Sequence, residues 1–337
     1  MGTAKYNPSL GYLKGIAALF VVIGHSITYL HNYVDIIPLA GQVIGNVVSA
    51  VHVPMFILIA GYLCHEQNVK KYIEKKIRRL IIPFLFFSTL KLLYELMFER
   101  RLFTFDSILS SIYRFYLIGE AYWFVYCMFA IYLIAIFFWR ENNRKYIFPI
   151  AVLLFCINSI LGILNVQLFP EQVVIGRVVL DSPLFQIERI MQYLPYFLTG
   201  MWLQDVNILM RIDKHKVSIS IISAIVVICC VFIIICGASN KNYLVKLIMA
   251  IHEMILLRFI VKTFNNNHKV LSNVGKYSFQ IMLFDGFYRV LLFAIMSKFF
   301  SPTLLIALSI ALIVVFLSVL SCSIAKKNRT STLLIGI

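Results

Sequence analysis

The sequence contains few charged residues, and acidic residues are the scarcer kind. Only 14% of its 337 residues are charged, with 15 Asp and Glu against 31 Lys and Arg, whereas 61% are hydrophobic. An average soluble domain has about 25% charged residues, and a soluble core of this size could not bury so much apolar surface. The mean hydropathy of +0.87 is typical of a chain whose surface faces lipid. The scarcity of charge therefore excludes a soluble globular protein.

Metal-binding and nucleic-acid-binding patterns are also missing. The seven cysteines lie mostly inside apolar runs, without the CxxC or paired Cys and His spacing of a metal site. No metal is therefore expected. The net charge of +16 comes from basic residues in short segments between apolar runs. That distribution is typical of membrane topology, so no nucleic-acid partner is expected.

Long apolar runs occupy most of the chain. A transmembrane helix needs about 20 largely apolar residues, and about ten runs qualify. The connections between them are too short for a soluble domain. We therefore predict one all-α, polytopic membrane domain over residues 1–337. Its predicted spans are 12–31, 45–64, 79–98, 121–139, 146–166, 188–204, 217–236, 244–262, 274–297 and 303–325.

The distribution of lysine and arginine predicts the orientation of these spans. If the N-terminus lies inside, the inner connections contain far more basic residues than the outer ones, as cytoplasmic loops do. The densest inner stretch is Lys70–Arg79. We therefore expect both termini in the cytoplasm, and a multi-pass protein surrounded by the lipids of the plasma membrane.

The first two runs contain ionisable residues at membrane depth, where each costs at least a few kcal/mol. Lys14 and His25 are eleven residues apart, which places them within about 20° on one helix face. His52, in the next run, lies at a depth similar to that of His25. Because histidine can remove a proton from a hydroxyl near neutral pH, both histidines are candidate catalytic residues. An interhelical hydrogen bond without a chemical role is the alternative.

A basic cluster precedes the third run, and further polar residues occur later in the chain. Lys76 and Arg79 of this cluster are candidates for binding the phosphates of a cytoplasmic CoA thioester. Topology and lipid contact are another explanation for the basic cluster. Asp285 and Arg289, four residues apart on one helix face, could simply pair. The candidates for binding the acceptor substrate are Glu120, Trp123, Glu188, Arg189, His252, Glu253 and Asp285.

Four motifs together resemble acyltransferase family three, the integral membrane acyltransferases, and in particular its fucose 4-O-acetylase-like branch. Residues 14–26 are similar to the family's K/R-G…V-V-x-G-H, and residues 52–63 to its H-x-P-x-F…S-G-Y-L. Residues 76–83 are similar to its R-x-x-R-x-x-x-P, and residues 122–124 contain its WF pair. The resemblance extends from one end of the chain to the other.

The resemblance implies transfer of an acyl group, with acetyl expected, from acetyl-CoA to a hydroxyl of a cell-envelope glycan or lipid-linked sugar. It implies a catalytic role for His25 and donor binding by Lys14 and Arg79. Many relatives have a histidine in the penultimate span, where this chain has Asp285. In the expected mechanism His25 is the general base and His52 assists it; a covalent acyl-histidine is the alternative. A transporter or flippase of lipid-linked saccharides could use buried charges equally well.

Overall fold

The computed structural model describes residues 8–98, 105–166, 168, 173–175, 178–180, 184–208, 211–212, 216–235, 243–263 and 269–337. Most of this part of the chain is helical, and a short hairpin interrupts it. In the hairpin, β1 (Val173–Ile175) pairs antiparallel with β2 (Val178–Leu180). The α-helices are α1 (Pro8–Leu30), α2 (Leu39–Tyr62), α3 (Val69–Lys76), α4 (Ile82–Phe98), α5 (Phe105–Ile112), α6 (Trp123–Phe137), α7 (Glu141–Arg144), α8 (Ile147–Leu164), α9 (Ile187–Asp205), α10 (Lys216–Ile235), α11 (Tyr243–Thr263), α12 (Lys269–Lys276), α13 (Ser278–Met296), α14 (Leu304–Ala325) and α15 (Arg329–Leu334).

Tighter or wider helical turns join some of these helices. A π-helical turn connects α3 to α4 at Ile77–Ile81, and a second one follows α5 at Tyr113–Ile118. Short 3₁₀ turns precede α6 at Glu120–Tyr122 and α9 at Leu184–Gln186. Because a π turn changes the direction in which successive side chains point, these turns matter for the placement of the polar residues described below.

Eight helical stretches in the described residues are long and apolar enough to cross a membrane, and each overlaps a predicted span, although Val69–Met97 and Phe105–Phe137 begin well before theirs. They are Leu10–Leu30, Leu39–Tyr62, Val69–Met97, Phe105–Phe137, Glu141–Leu164, Lys216–Ile235, Ser278–Met296 and Leu304–Ala325. The predicted spans 188–204 and 244–262 form α9 and α11, which have 19 and 21 residues but more polar sequences. The helical membrane fold is thus confirmed. The total of ten spans and the cytoplasmic position of both termini stay predictions.

The helices form two compact units. The first unit comprises Met1–Leu63 and Thr199–Ile324, and the second comprises Cys64–Leu198 and Ala325–Ile337. A single domain over residues 1–337 stays a prediction.

Helix α1 is central to the first unit, where it packs against α2, α11, α12 and α13. Buried side chains such as Val22, Ile281 and Ala311 join α1, α13 and α14 in one apolar core. The contact with α12 is closer still, because a Cβ atom on Gly275 would collide with the carbonyl of Gly11. Small residues allow such backbone approach between membrane helices. This packing fixes the helix that contains His25.

In the second unit, the last helix folds back onto the segment that joins α3 to α4. Helix α15 packs against α4, and a Cβ atom on Gly336 would lie 2.8 Å from the carbonyl oxygen of Arg79. Gly336 also has a φ of +72°, which favours glycine. The basic cluster of the sequence is therefore held beside the C-terminal segment.

Candidate active site

His25 is paired with a buried carboxylate from a distant part of the chain. Its Nδ1 lies 2.7 Å from Oδ2 of Asp285 on α13. Because the carboxylate accepts, Nδ1 donates, and Nε2 of the neutral ring then bears the free lone pair. The His25 side chain is 46% exposed and that of Asp285 only 2%. An accessible imidazole oriented by a buried aspartate is the arrangement that activates hydroxyl nucleophiles in catalytic triads.

Arg289 strengthens this pair. The predicted contact with Asp285 forms, with Nη2 of Arg289 3.3 Å from Oδ2 of Asp285. Nη1 of Arg289 also donates to the backbone oxygen of His25, over 2.9 Å. The arginine supplies the counter-charge that a buried carboxylate requires. It also links α13 to the main chain of α1.

His52 lies beside His25, as the matched depth predicts. The two ring centroids are 6.3 Å apart with the rings nearly perpendicular. Nδ1 of the buried His52 donates to the backbone oxygen of Val48 over 2.7 Å. In the neutral tautomer both histidines therefore have Nδ1 engaged and Nε2 as the basic nitrogen.

The other candidates of the first unit lie elsewhere on its helices. Lys14 is half-buried on α1, about 16 Å from His25 along the helix axis. His252 on α11 is 3.1 Å from Oγ of Ser223 on α10, through its Nδ1. Glu253 is buried, and its Oε2 has no hydrogen-bond partner among the described residues. The contact of His252 joins α10 to α11 and involves neither His25 nor His52.

Trp123 and Arg189, two predicted substrate-binding residues of the second unit, are in contact. The guanidinium of Arg189 lies 4.1 Å from the ring centroid of Trp123, a cation–π geometry. Tyr193 stacks on the same indole at 5.6 Å. The neighbouring Glu188 accepts a hydrogen bond from Gln192 over 2.9 Å. These residues form one aromatic and charged cluster at the start of α6 and α9.

Glu120 belongs to a separate ion cluster. Its Oε2 accepts from Nε of Arg114 over 2.6 Å. The same guanidinium lies 3.7 Å from Oε1 of Glu95, a carboxylate that is buried in α4. Neither Arg114 nor Glu95 was a predicted site residue, because nothing in their local sequence distinguishes them from ordinary charges near a helix end. The cluster ties the turn before α6 to α4.

A cavity of about 770 Å³ separates the α3–α4 segment from the C-terminal residues. We call it the basic cavity. Arg79, a predicted phosphate ligand, lines it, and Glu74 is the carboxylate among its lining residues. Arg329 contributes from α15, too far along the sequence to be associated with the cluster by spacing. The cationic side chains of the basic cavity are Lys71, Lys75, Arg78, Arg79 and Arg329.

Lys76 does not line the basic cavity, although it is three residues from Arg79. Its Nζ lies 3.1 Å from the ring centroid of Tyr132 and 5.1 Å from that of Tyr72. Tyr72 packs edge-on against Trp139 at 4.6 Å. Because aromatic faces attract a cation, Lys76 is held in a cage of rings. Its position gives no support to the predicted contact with donor phosphates.

Comparison with known proteins agrees with the motifs. A family model described as an acyltransferase domain, that of acyltransferase family 3, matches residues 7–325. No curated protein and no solved structure matches the chain. Since the match spans nearly all of the sequence, the protein belongs to acyltransferase family 3. It is a membrane acyltransferase, and the family predicted from its motifs is confirmed, whereas the fucose 4-O-acetylase-like branch stays a prediction.

Proposed function

We propose that the protein is an O-acyltransferase that moves an acyl group, expected to be acetyl, from a cytoplasmic acyl-CoA to a hydroxyl of a cell-envelope glycan or lipid-linked sugar. One observation carries the proposal. His25 presents a half-exposed imidazole whose Nδ1 is bound to the buried Asp285. This arrangement leaves Nε2 available as a base.

In the proposed step, Nε2 of His25 removes the proton of the acceptor hydroxyl while the oxygen attacks the thioester carbonyl carbon. A C–O bond forms and the C–S bond breaks. The CoA thiolate then leaves with the proton that His25 took up. Asp285 holds the ring in the correct tautomer and stabilises the imidazolium. His52, whose ring is adjacent, assists in orienting the acceptor.

The basic cavity is the proposed site for the phosphates of the donor. CoA has a diphosphate and a ribose phosphate, and arginine can bind phosphate oxygens through two parallel hydrogen bonds. Arg78, Arg79 and Arg329 all line this cavity. Its excess of cationic over acidic side chains, with Glu74 the one acidic side chain of the described lining, suits a polyanion. Lys14 remains a proposed donor contact from the first unit.

The proposed acceptor site includes the cluster of Trp123, Arg189 and Tyr193. Binding sites for small molecules combine aromatic surface with a few placed polar groups. A sugar offers both an apolar face and hydroxyl groups, so this cluster suits a saccharide. Glu188, adjacent to Arg189, adds a carboxylate that can accept hydrogen bonds from hydroxyls.

The test is label transfer from [¹⁴C]acetyl-CoA in membranes that contain the protein, with counting of the glycan and lipid fractions. We expect His25→Ala to lose at least about a hundred-fold in rate, the usual contribution of a general base. His31→Ala replaces an exposed histidine directly after the same helix, and this matched control should leave the rate unchanged. Equal transfer by His25→Ala and the unsubstituted protein would refute the catalytic assignment. Saccharide translocation without any label transfer would instead indicate a transporter.

A further inference from the structure

A second, smaller cavity lies in the first unit, between the beginning of α10 and the end of α11. Its volume is about 210 Å³. We call it the α10–α11 cleft. None of its described lining residues is acidic, and none takes part in the site around His25. The lining residues are Ile212, Lys216, Ser220, Ile255, Arg258, Phe259, Lys262 and Thr263.

The cleft has a strongly cationic lining. Arg258 is only 5% exposed, although it lies within a helix that a membrane is expected to surround. Lys216 and Lys262 add two exposed ammonium groups at the rim, and Ser220 and Thr263 add hydroxyls. This chemistry suits a compact anion with several oxygens, such as a phosphate group.

The size of the cleft supports a small head group. Cavities for drug-sized ligands have roughly 300–1,000 Å³, so 210 Å³ is too small for a nucleotide or a sugar chain. It exceeds several-fold the roughly 30 Å³ that one water molecule occupies in the liquid. The cleft can therefore admit one phosphate with its substituent, while the remainder of a larger ligand must extend outside.

The surface beside the cleft is suited to hydrocarbon chains. Helix α10 is the least buried of the candidate spans in the described residues, with 17% of its window buried. Five of its exposed apolar residues recur every three or four positions and so form a stripe along one face. This stripe starts next to Lys216 and follows the helix. It comprises Val217, Ile221, Ile225, Ile228 and Phe232.

We propose that the α10–α11 cleft binds the phosphate of an anionic phospholipid, with the acyl chains along the α10 stripe. The cleft lies at the helix ends that the charge pattern predicts to face the cytoplasm. Basic pockets between transmembrane helices on that side are typical binding places for anionic head groups. A free phosphate would use the same cations but would gain nothing from the apolar stripe.

Native mass spectrometry of the full chain in detergent, titrated with phosphatidylglycerol, tests the proposal. The variant Lys216→Gln/Lys262→Gln removes the two rim cations and leaves Arg258 in place. At about one kcal/mol for each basic residue, it should bind the lipid about thirty-fold more weakly. Arg144→Gln/Lys145→Gln removes two exposed cations outside the cleft and is the matched control, which should bind like the unsubstituted protein.

Each result decides for or against the site. Equal lipid affinity in the Lys216→Gln/Lys262→Gln variant and the control would overturn the proposal. Inorganic phosphate that binds as tightly as phosphatidylglycerol, and displaces it, would assign the cleft to a soluble anion instead of a lipid. If thermal unfolding shows that the double variant does not fold, the two single variants answer the same question, each with an expected loss of about five-fold.

Discussion

The site around His25 and the basic cavity use charge in opposite ways. In the first, the carboxylate of Asp285 is buried and already engaged by His25 and Arg289. In the second, the exposed cations of the lining, such as Arg79 and Arg329, make no ion pair among the described residues. Paired, desolvated charges hold a side chain in one orientation, whereas an excess of one sign is suited to a charged ligand. The site around His25 is therefore suited to catalysis, and the basic cavity is suited to binding a charged ligand.

The largest expected effect comes from Asp285→Asn. The amide keeps the size of the carboxylate but can no longer fix the His25 tautomer or stabilise the imidazolium. By analogy with catalytic triads, the turnover number should fall by roughly a hundred-fold to ten-thousand-fold. Steady-state kinetics with labelled acetyl-CoA should show little change in KM for the donor. A fall in donor affinity with normal turnover would show that Asp285 acts in donor binding. The two sites would then no longer differ in their roles.

A smaller effect, on donor binding instead of turnover, is expected from Arg79→Gln in the basic cavity. Loss of a charged hydrogen-bond donor to phosphate typically costs about 1.5–3 kcal/mol, so KM for acyl-CoA should rise by about ten-fold or more. The turnover number should remain close to normal. Raised salt should increase KM for the unsubstituted protein more than for the variant, because screening weakens exposed charges. Unchanged KM at low salt would show that the donor phosphates bind elsewhere.

The smallest effect on catalysis is expected from Lys76→Gln. This lysine lies over Tyr132 and Tyr72 instead of in the basic cavity. The variant should lose about 0.5–2 kcal/mol of cation–π stabilisation, visible as a lower thermal midpoint, while KM for acyl-CoA stays the same. A rise in KM comparable with that of Arg79→Gln would show that Lys76 contributes to donor binding.

Much of the fold follows from hydropathy, because a bilayer imposes long apolar helices. The α9 and α11 segments are the weaker cases, since residues such as Arg189 and Glu253 interrupt their apolar character. Their helices form, but composition alone does not separate a span from a buried polar helix. The proximity of His25 and His52 was predictable because a single connection joins their helices at matched depth.

Other parts of the site depend on contacts that local sequence does not encode. Asp285 meets His25 across 260 residues, a partnership that requires the packing of α13 on α1. Lys76 and Arg79 have a spacing that suggests one helix face, yet the π turn at Ile77–Ile81 lies between them. Of these two residues, Arg79 lines the basic cavity and Lys76 does not. Arg329 reaches the same cavity only because α15 folds back onto α4.

The bond from Arg289 to the backbone oxygen of His25 has a practical consequence. Main-chain atoms persist when a side chain is truncated, so this attachment of α13 to α1 remains available after the imidazole is removed. Substitution at position 25 therefore deletes the reactive ring without deleting its scaffold. Loss of activity in His25→Ala can accordingly be attributed to the missing proton acceptor. The same variant is suitable for capturing the complex with both substrates intact.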